Sequence, residues 1–418
     1  SLANSQLFDG TFINVWRGLY SESFAQRSNA RGYDRIIVAE PAAYKAIMAA
    51  CPETISYDKA VTYLATFAAQ FEGVENADVI IDNVSNDSAA AVNALLRAGK
   101  NVAMITEGDE KGNFICSYED FLTIAKDYVI TATGVYGANY KAAVILNPLV
   151  FLPGKPANNT SGYVETTLRS GSYNYRFDWL ALTAMGFTMT EDLSKANVIV
   201  GSQKLSDEAL GAVKAGTPYM AYGATAFMGE GNFLLGLGVK LDSCTMGTDF
   251  LGRVVYPSNT LVNASYINEA DDVMYEYGTN WFTKIPEGAT VLVQNAGKAP
   301  LQGCICLTDD ELTEEFNQYN NGVVGFEYQS GKLDMALFAN VLNHKIHQTD
   351  EYTFISNFIF SRSLTETAYE GVAQPENPDP VNPGKPEEPG KPDAPKTGDT
   401  SSIIVWVLAA SFTVVMIP

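Results

Sequence analysis

Ala77-Asp78-Val79-Ile80-Ile81, followed by Leu96-Arg97-Ala98-Gly99-Lys100-Asn101-Val102, returns as Ala196-Asn197-Val198-Ile199-Val200 followed by Val213-Lys214-Ala215-Gly216-Thr217-Pro218-Tyr219. Each copy reads as strand, helix, strand. The β-branched runs bounded by polar residues are strand signals, and Ser88 to Ala98 and Ser206 to Ala215 carry helical periodicity. Gly99 and Gly216 stand where a helix end wants a positive φ. Units of this kind pack into parallel or mixed sheets covered by helices, so the fold class is α/β.

Working outward from the echo, a new domain is expected near residue 149. Leu149-Val150-Phe151-Leu152 reads as a strand, followed by a Gly/Asn/Ser loop and a helix from about Tyr173 to Met185. The second copy of the echo continues this domain. Strands near Gly322 to Phe326 and a helix from about Met335 to Leu342 are expected to close it. The stretch from Asn232 to Gly303, with Thr290-Val291-Leu292-Val293, reads as an inserted or edge β region. The expected division is therefore an α/β domain over 1–148, a second α/β domain with a β-rich insertion over 149–365, a stalk over 366–399 and an apolar segment over 400–418.

The 418 residues are 46% hydrophobic and 11% aromatic, ample for two or three globular domains. A formal net charge of −21 repels phosphate backbones, which excludes nucleic acid as a partner. The five cysteines, Cys51, Cys116, Cys244, Cys304 and Cys306, are odd in number and scattered, unlike the dense frameworks of small secreted scaffolds. They read as small apolar core residues, including the Cys304-Ile305-Cys306 pair, which on a strand would share one face.

The C-terminal end carries three signals in order. From about Thr367 to Pro395 the chain is rich in Pro, Glu and Lys and has almost no large apolar residue, so it reads as an extended spacer without packed contacts. Ala394-Pro395-Lys396-Thr397-Gly398-Asp399 follows, and Ile403 to Pro418 is an apolar run without charge, shorter than the roughly 20 residues of a full membrane span. The motif resembles the Leu-Pro-x-Thr-Gly sorting signal of Gram-positive surface proteins, with Ala394 in the place of Leu. The resemblance implies cleavage by a sortase between Thr397 and Gly398, attachment to peptidoglycan, and an extracellular, cell-surface location. No signal peptide precedes Ser1 and no basic tail follows Pro418, so the chain is expected to be truncated at both ends.

Candidate chemistry is sparse. The two histidines, His344 and His347, are three apart and would share a helical face, followed by Asp350 and Glu351. Two imidazoles without a third ligand make a loose metal site, and a polar helix end is the simpler reading, so no metal ligand is assigned in this chain. Tyr222-Gly223-Ala224-Thr225-Ala226 occupies the place where class I glutamine-amidotransferase-like folds carry a nucleophile elbow of Gly-x-Cys-x-Gly type. Ala224 would stand at the nucleophile's position, and a methyl group cannot attack a carbonyl, so no catalytic residue is assigned either. Thr225 reads as a helix-cap residue. A surface platform of Tyr256, Tyr266, Tyr275, Tyr277 and Trp281 for a carbohydrate or peptide is an alternative function, set against ordinary core packing.

Several local strings resemble the region that follows the catalytic domain in large secreted bacterial zinc carboxypeptidases of the carboxypeptidase A/T type. They are Trp16-Arg17-Gly18-Leu19-Tyr20-Ser21-Glu22, Arg31-Gly32-Tyr33-Asp34, Ser85-Asn86 with Ala91-Val92-Asn93-Ala94-Leu95-Leu96, the Lys111-Gly112-Asn113-Phe114 hairpin, and His344 to Phe360. The resemblance covers most of residues 1–362. It implies a parent enzyme that removes C-terminal residues from extracellular peptides, with zinc held by a His-x-x-Glu motif and a later His. No His-x-x-Glu occurs here, since His344 is followed at plus three by His347 and His347 by Asp350. The resemblance therefore places the zinc and its ligands ahead of Ser1 and leaves this portion non-catalytic and without a cofactor.

Overall fold

The computed structural model describes residues 69–154, 173–227, 231–243, 249–267, 273–277, 280–296, 302–303, 319–344 and 349–375, with a few isolated helical positions elsewhere. Up to residue 145 the elements are β1 (Gln70–Gly73), β2 (Asp78–Ile81), α1 (Asn86–Arg97), β3 (Val102–Ile105), β4 (Phe114–Ser117), α2 (Tyr118–Ile124), β5 (Thr131–Val135) and β6 (Ala142–Ile145). Next come β7 (Leu149–Phe151), α3 (Tyr173–Ala184), β8 (Thr188–Thr190), β9 (Val198–Gly201), α4 (Asp207–Ala215), β10 (Tyr219–Tyr222), α5 (Ala224–Phe227) and α6 (Gly231–Gly236). The β-rich part holds β11 (Lys240–Ser243), β12 (Asp249–Val255), β13 (Val273–Tyr277), β14 (Asn280–Lys284), β15 (Thr290–Asn295) and β16 (Gln302–Gly303). The described chain ends in β17 (Val323–Ser330), β18 (Leu333–Phe338), α7 (Tyr352–Ser361) and β19 (Leu364–Ala368).

Both echo copies form their helices for the same local reasons. The Ser85 hydroxyl accepts from the Ser88 amide at 3.2 Å, and the Ser206 hydroxyl accepts from the Ala209 amide at 3.2 Å, each capping one free helix donor. Gly99 (φ +71°) and Gly216 (φ +119°) end the helices in the left-handed region. In each, the residue after the glycine donates back five positions, Lys100 to Leu95 and Thr217 to Ala212, both at 3.0 Å. That closing bond defines a Schellman end and needs a residue without a Cβ.

The strands form two sheets. The first has the order β1-β5-β2-β4-β3-β6-β19; only β1 and β5 are parallel. In the second, β8-β7-β9-β10-β18 are parallel, and β17, β15, β12 and β13 extend that core antiparallel on the β18 side. Numbered along the chain, the parallel strands run 2-1-3-4-5, a doubly wound order whose switch point lies between β7 and β9. The mixed α/β class read from the echo is the class found.

Helix α7 joins the sheets: it is rich in Phe and Ile, and every residue from Tyr352 to Phe360 is buried. Phe360 packs against Phe114 of β4 (centroids 5.1 Å) and Phe187 (5.0 Å), while Phe354 packs on Phe338 of β18 (4.9 Å). At the seam the Asn83 side-chain amide donates to Asn357 Oδ1 at 2.5 Å, and Asn357 donates to the Val262 carbonyl at 3.2 Å.

Two expectations are corrected. The helix expected from Met335 to Leu342 is strand β18, paired with β10 on one side and β17 on the other. Gly331 (φ +59°) turns the chain back after β17, and Met335 to Phe338 are all buried. Burial between two strands overrides the helical propensity of Met, Ala and Leu. Packed contacts also continue past Thr367: β19 runs to Ala368, the Tyr369 amide donates to the Ala142 carbonyl at 2.9 Å, and the Tyr369 hydroxyl donates to Asp78 at 2.9 Å. The rest of the expected stalk, the sorting motif Ala394 to Asp399 and the run Ile403 to Pro418 lie outside the described residues. Among the described residues no helix is long and apolar enough to cross a membrane.

Candidate functional site

In a doubly wound sheet the chemistry sits at the carboxyl ends of the parallel strands, near the switch point. Here those ends deliver Ser202 after β9, Tyr222 and Gly223 at the end of β10, and the segment Ala339–His344 after β18. Helix α3 passes Asp178 into the middle of them. Asp178 is fully buried. Its Oδ2 accepts from the Ser202 amide (2.9 Å) and the Ser202 hydroxyl (2.7 Å), and its Oδ1 accepts from the Tyr222 hydroxyl (2.9 Å) and the Asn343 side-chain amide (2.7 Å).

Burial pushes the Asp178 carboxyl above its ordinary range, against the pull of Asn343, Ser202 and Tyr222. Burial, then the charge of Asp178, pushes the Tyr222 hydroxyl well up, so Tyr222 keeps its proton and donates it. A carboxylate has about four lone-pair positions. Four donors fill those of Asp178, leaving none for a substrate proton or a cation. The cluster ties α3, β9, β10 and the segment after β18 together.

The turn from β10 into α5 has the strand-to-helix form of a nucleophile elbow, and the structure moves the expected position by one residue. The residue with positive φ is Gly223 (+84°), not Ala224, and the nucleophile of such an elbow stands on the strained turn itself. A Cβ on Gly223 would meet Val341 Cγ2 at 2.5 Å, so a side chain is shut out of this position. Ala224 and Thr225 lie within α5. Neither Gly223 nor Ala224 carries a nucleophilic atom.

The other expected candidates are dispersed. His344 is almost fully buried beside Phe177 (centroids 6.2 Å) in the segment after β18, and the helix expected to lead into it is that strand. His347 lies outside the described residues. Glu351 Oε1 accepts from the Tyr275 amide at 2.7 Å, and the Asp350 carbonyl accepts from the Tyr266 hydroxyl at 2.7 Å, so both are engaged in packing. Among the described residues no three His, Cys, Asp or Glu side chains gather closely enough to share a metal ion. Burial pushes the Cys116 thiol up to about 12, as suits a small core residue; the other four cysteines lie outside the described residues. Of the aromatic platform residues, Tyr266, Tyr275 and Trp281 are buried, with Tyr266 stacked on Phe354 at 3.9 Å and Trp281 edge-on to Tyr319 at 6.2 Å, as in the core packing set against the platform.

Sequence reading missed a second buried acid. Glu276 on β13 accepts from the Tyr319 hydroxyl and, at 2.9 Å, from the Asn340 side-chain amide. Burial pushes its carboxyl up to about 8, so it holds a proton at neutral pH. Asn340 and Asn343 thus tie the segment after β18 to one buried acid each. An open cavity of about 440 Å³, lined chiefly by Phe227, Leu234, Val239, Leu241 and Phe282, lies apart from both acids.

No family model matches the chain, and no curated protein matches it. Among solved structures, one named as a GMP synthase component from Thermoplasma acidophilum has 12% identity and a TM-score of 0.29, covering 51% of this chain and 92% of its own. A ThuA-like protein from Parabacteroides merdae has 9% identity and a TM-score of 0.31, over 52% and 91% of the two chains. A glutamine amido transferase from Methylobacillus flagellatus has 9% identity and a TM-score of 0.25, over 54% and 98%. At these scores the likeness carries no argument, and the unit is described by its own doubly wound parallel strand order and the turn at Gly223.

Proposed function

We propose that the chain is the non-catalytic, tethered portion of a Gram-positive cell-surface protein, with the amidotransferase-like unit serving as a structural domain and not as an acyl-transfer enzyme. The observation that carries this reading is the filled elbow: Gly223 has no side chain, Val341 occupies the space one would need, and the adjacent carboxylate Asp178 is saturated by four donors. Ala394-Pro395-Lys396-Thr397-Gly398 supports a sortase as partner and peptidoglycan as the attachment point. The resemblance of local strings to secreted zinc carboxypeptidases is the basis for a parent that trims extracellular peptides with zinc bound upstream of Ser1. The burial of Tyr266, Tyr275 and Trp281 removes support from the carbohydrate-platform alternative.

The test is turnover by the purified full chain, with and without added zinc, of glutamine and of peptides with free or blocked C-termini. No turnover is expected. Hydrolysis that His344→Ala abolishes would overturn the reading. The tether is tested separately by incubating the chain with a sortase and an acceptor peptide, where a product ending at Thr397 is expected and Thr397→Ala prevents it. The carboxypeptidase parent stands or falls on the reading frame upstream of Ser1, which is expected to encode His-x-x-Glu and a later His.

A further inference from the structure

The segment that leaves α7 returns to the first sheet and is held there in an unusual way. Among the described strands β19 pairs only with β6, its register slips between Leu364 and Ala368, and Glu366, Thr367 and Ala368 are exposed. Such a ladder is weak by itself. Past it, the chain is fastened from the side by Asp78, a carboxylate at the start of β2 that is only 2% exposed. Asp78 Oδ1 accepts from the Tyr369 hydroxyl at 2.9 Å, and Oδ2 accepts from the Val372 amide. The Val372 carbonyl in turn accepts from the Ala138 amide at 3.3 Å. Gly137 and Gly371 make this nesting possible, since a Cβ on Gly137 would strike the Asp78 carboxylate and one on Gly371 would strike the Gly137 backbone.

Tyr369 has a second role. Its ring belongs to a small apolar cluster with Ile80, Ala103, Ile105, Ile115 and Ala142, on the face of the first sheet away from the main core. The same residue therefore covers that face and, through its hydroxyl, reaches the fastening.

We propose that Leu364–Val372 form a latch: a strap held by Asp78 that opens and closes as a local unit, uncovering the Ile80 cluster and the edge of β6 while the second sheet stays folded. The inference goes beyond the functional reading above and stands without it. The physical basis is the imbalance between the strap's attachments. Its backbone ladder is short, irregular and exposed, whereas both side-on bonds converge on one carboxylate. Loss of that carboxylate leaves the buried Tyr369 hydroxyl and the part-buried Val372 amide without their acceptor, and an element with few independent attachments is the kind that opens sub-globally.

The experiment is amide hydrogen exchange by mass spectrometry on the full chain, comparing the parent with Asp78→Ala, Tyr369→Phe and Val372→Pro. In the parent, strap amides and Leu146, which donates to the Ser363 carbonyl at 2.8 Å, are expected to exchange together. In Asp78→Ala these amides quicken by about tenfold or more, while peptides from β9 and β10 keep their protection. Tyr369→Phe, which removes one bond, quickens the same amides by about fivefold. Val372→Pro, which removes the other donor, acts on the same set. The idea is overturned if the strap exchanges at its parental rate in the variants, or if the second sheet loosens by the same factor, since Asp78 would then serve general stability only. Should Asp78→Ala fail to fold, the two single-donor variants decide by the same readout.

Discussion

The two strand-helix-strand units, β2-α1-β3 and β9-α4-β10, are built from one local recipe and end in different neighbourhoods. Both start their helix on a serine cap and stop it on a left-handed glycine with the same closing bonds. In the second unit β9 and β10 are adjacent and parallel, with Tyr219 opposite Ile199. In the first, β4 is inserted between β2 and β3 and runs antiparallel to both. Caps and hydrophobic runs set what an element is, and the connection that follows decides which strands become partners. In the first unit that connection is the hairpin loop over 106–113, in which the amide of Gly112 (φ +95°) donates to the Ile105 carbonyl at 2.9 Å and β4 folds back against β3. In the second, β10 leads into α5 and α6, so β9 keeps a parallel neighbour.

The difference has consequences for stability that can be measured. Because adjacent carboxyl ends in the second unit converge on Asp178, Asp178→Ala should be the most damaging change. It strands the Tyr222 hydroxyl, the Asn343 amide and Ser202, at a cost of about 3 to 5 kcal/mol by denaturant unfolding. A loss below about 1 kcal/mol would mean that the cluster does not bind the strand ends together.

The next effect is pH-dependent and belongs to the second sheet alone. Glu276 has its folded carboxyl raised to about 8 from an ordinary value near 4.5, so the folded state binds the proton more tightly than the unfolded state. Its contribution is fully present below about pH 4.5 and is lost as pH rises toward 8, by an amount on the order of 2 to 4 kcal/mol. Glu276→Gln should flatten the unfolding free energy between pH 5 and 8 relative to the parent. Parallel curves for parent and variant would exclude Glu276 as the titrating group.

Smaller changes ask whether the two units share their local physics. Gly99→Ala and Gly216→Ala place a Cβ in nearly open space, with nothing within 4 Å at Gly99 and only Lys332 atoms, the nearest at 3.5 Å, at Gly216. Each should cost about 1 kcal/mol from the positive φ alone. Ser85→Ala and Ser206→Ala should each cost about 0.5 to 1 kcal/mol. Unequal costs within either pair would show that the copies differ in local structure as well as in pairing.

What was legible in the sequence follows the same division. The echo, both glycine helix ends, helix α3 and the apolar strands are local patterns, and they stand out. Strand β18 was misread because Met335-Ala336-Leu337-Phe338 has no β-branched residue, and its identity comes from β10 and β17 on either side. The buried acids were invisible for a different reason. The partners of Asp178 sit at 202, 222 and 343, a convergence that no spacing rule contains. Two weak signals were present: an Asp inside the aromatic run Tyr173-Asn174-Tyr175-Arg176-Phe177-Asp178-Trp179, and Asn340 with Asn343 directly after a strand end. The polar helix end expected at His344 is not led into by a helix, since the preceding residues Leu333–Phe338 form β18, and His347 lies outside the described residues.

The strap between β19 and Asp78 bears on the order in which the molecule can be completed. Tyr369 and Asp78 are 291 residues apart, and the whole second sheet lies between them. A chain emerging from its N-terminus therefore presents β6 with an open edge, and the Ile80 cluster uncovered, until the second sheet has been released. Loop-closure entropy grows only slowly with length, so the delay is set by waiting time more than by free energy. During that wait the first sheet is the part most open to unwanted pairing, and the strand that ends the exposure is the last of the described strands to be made.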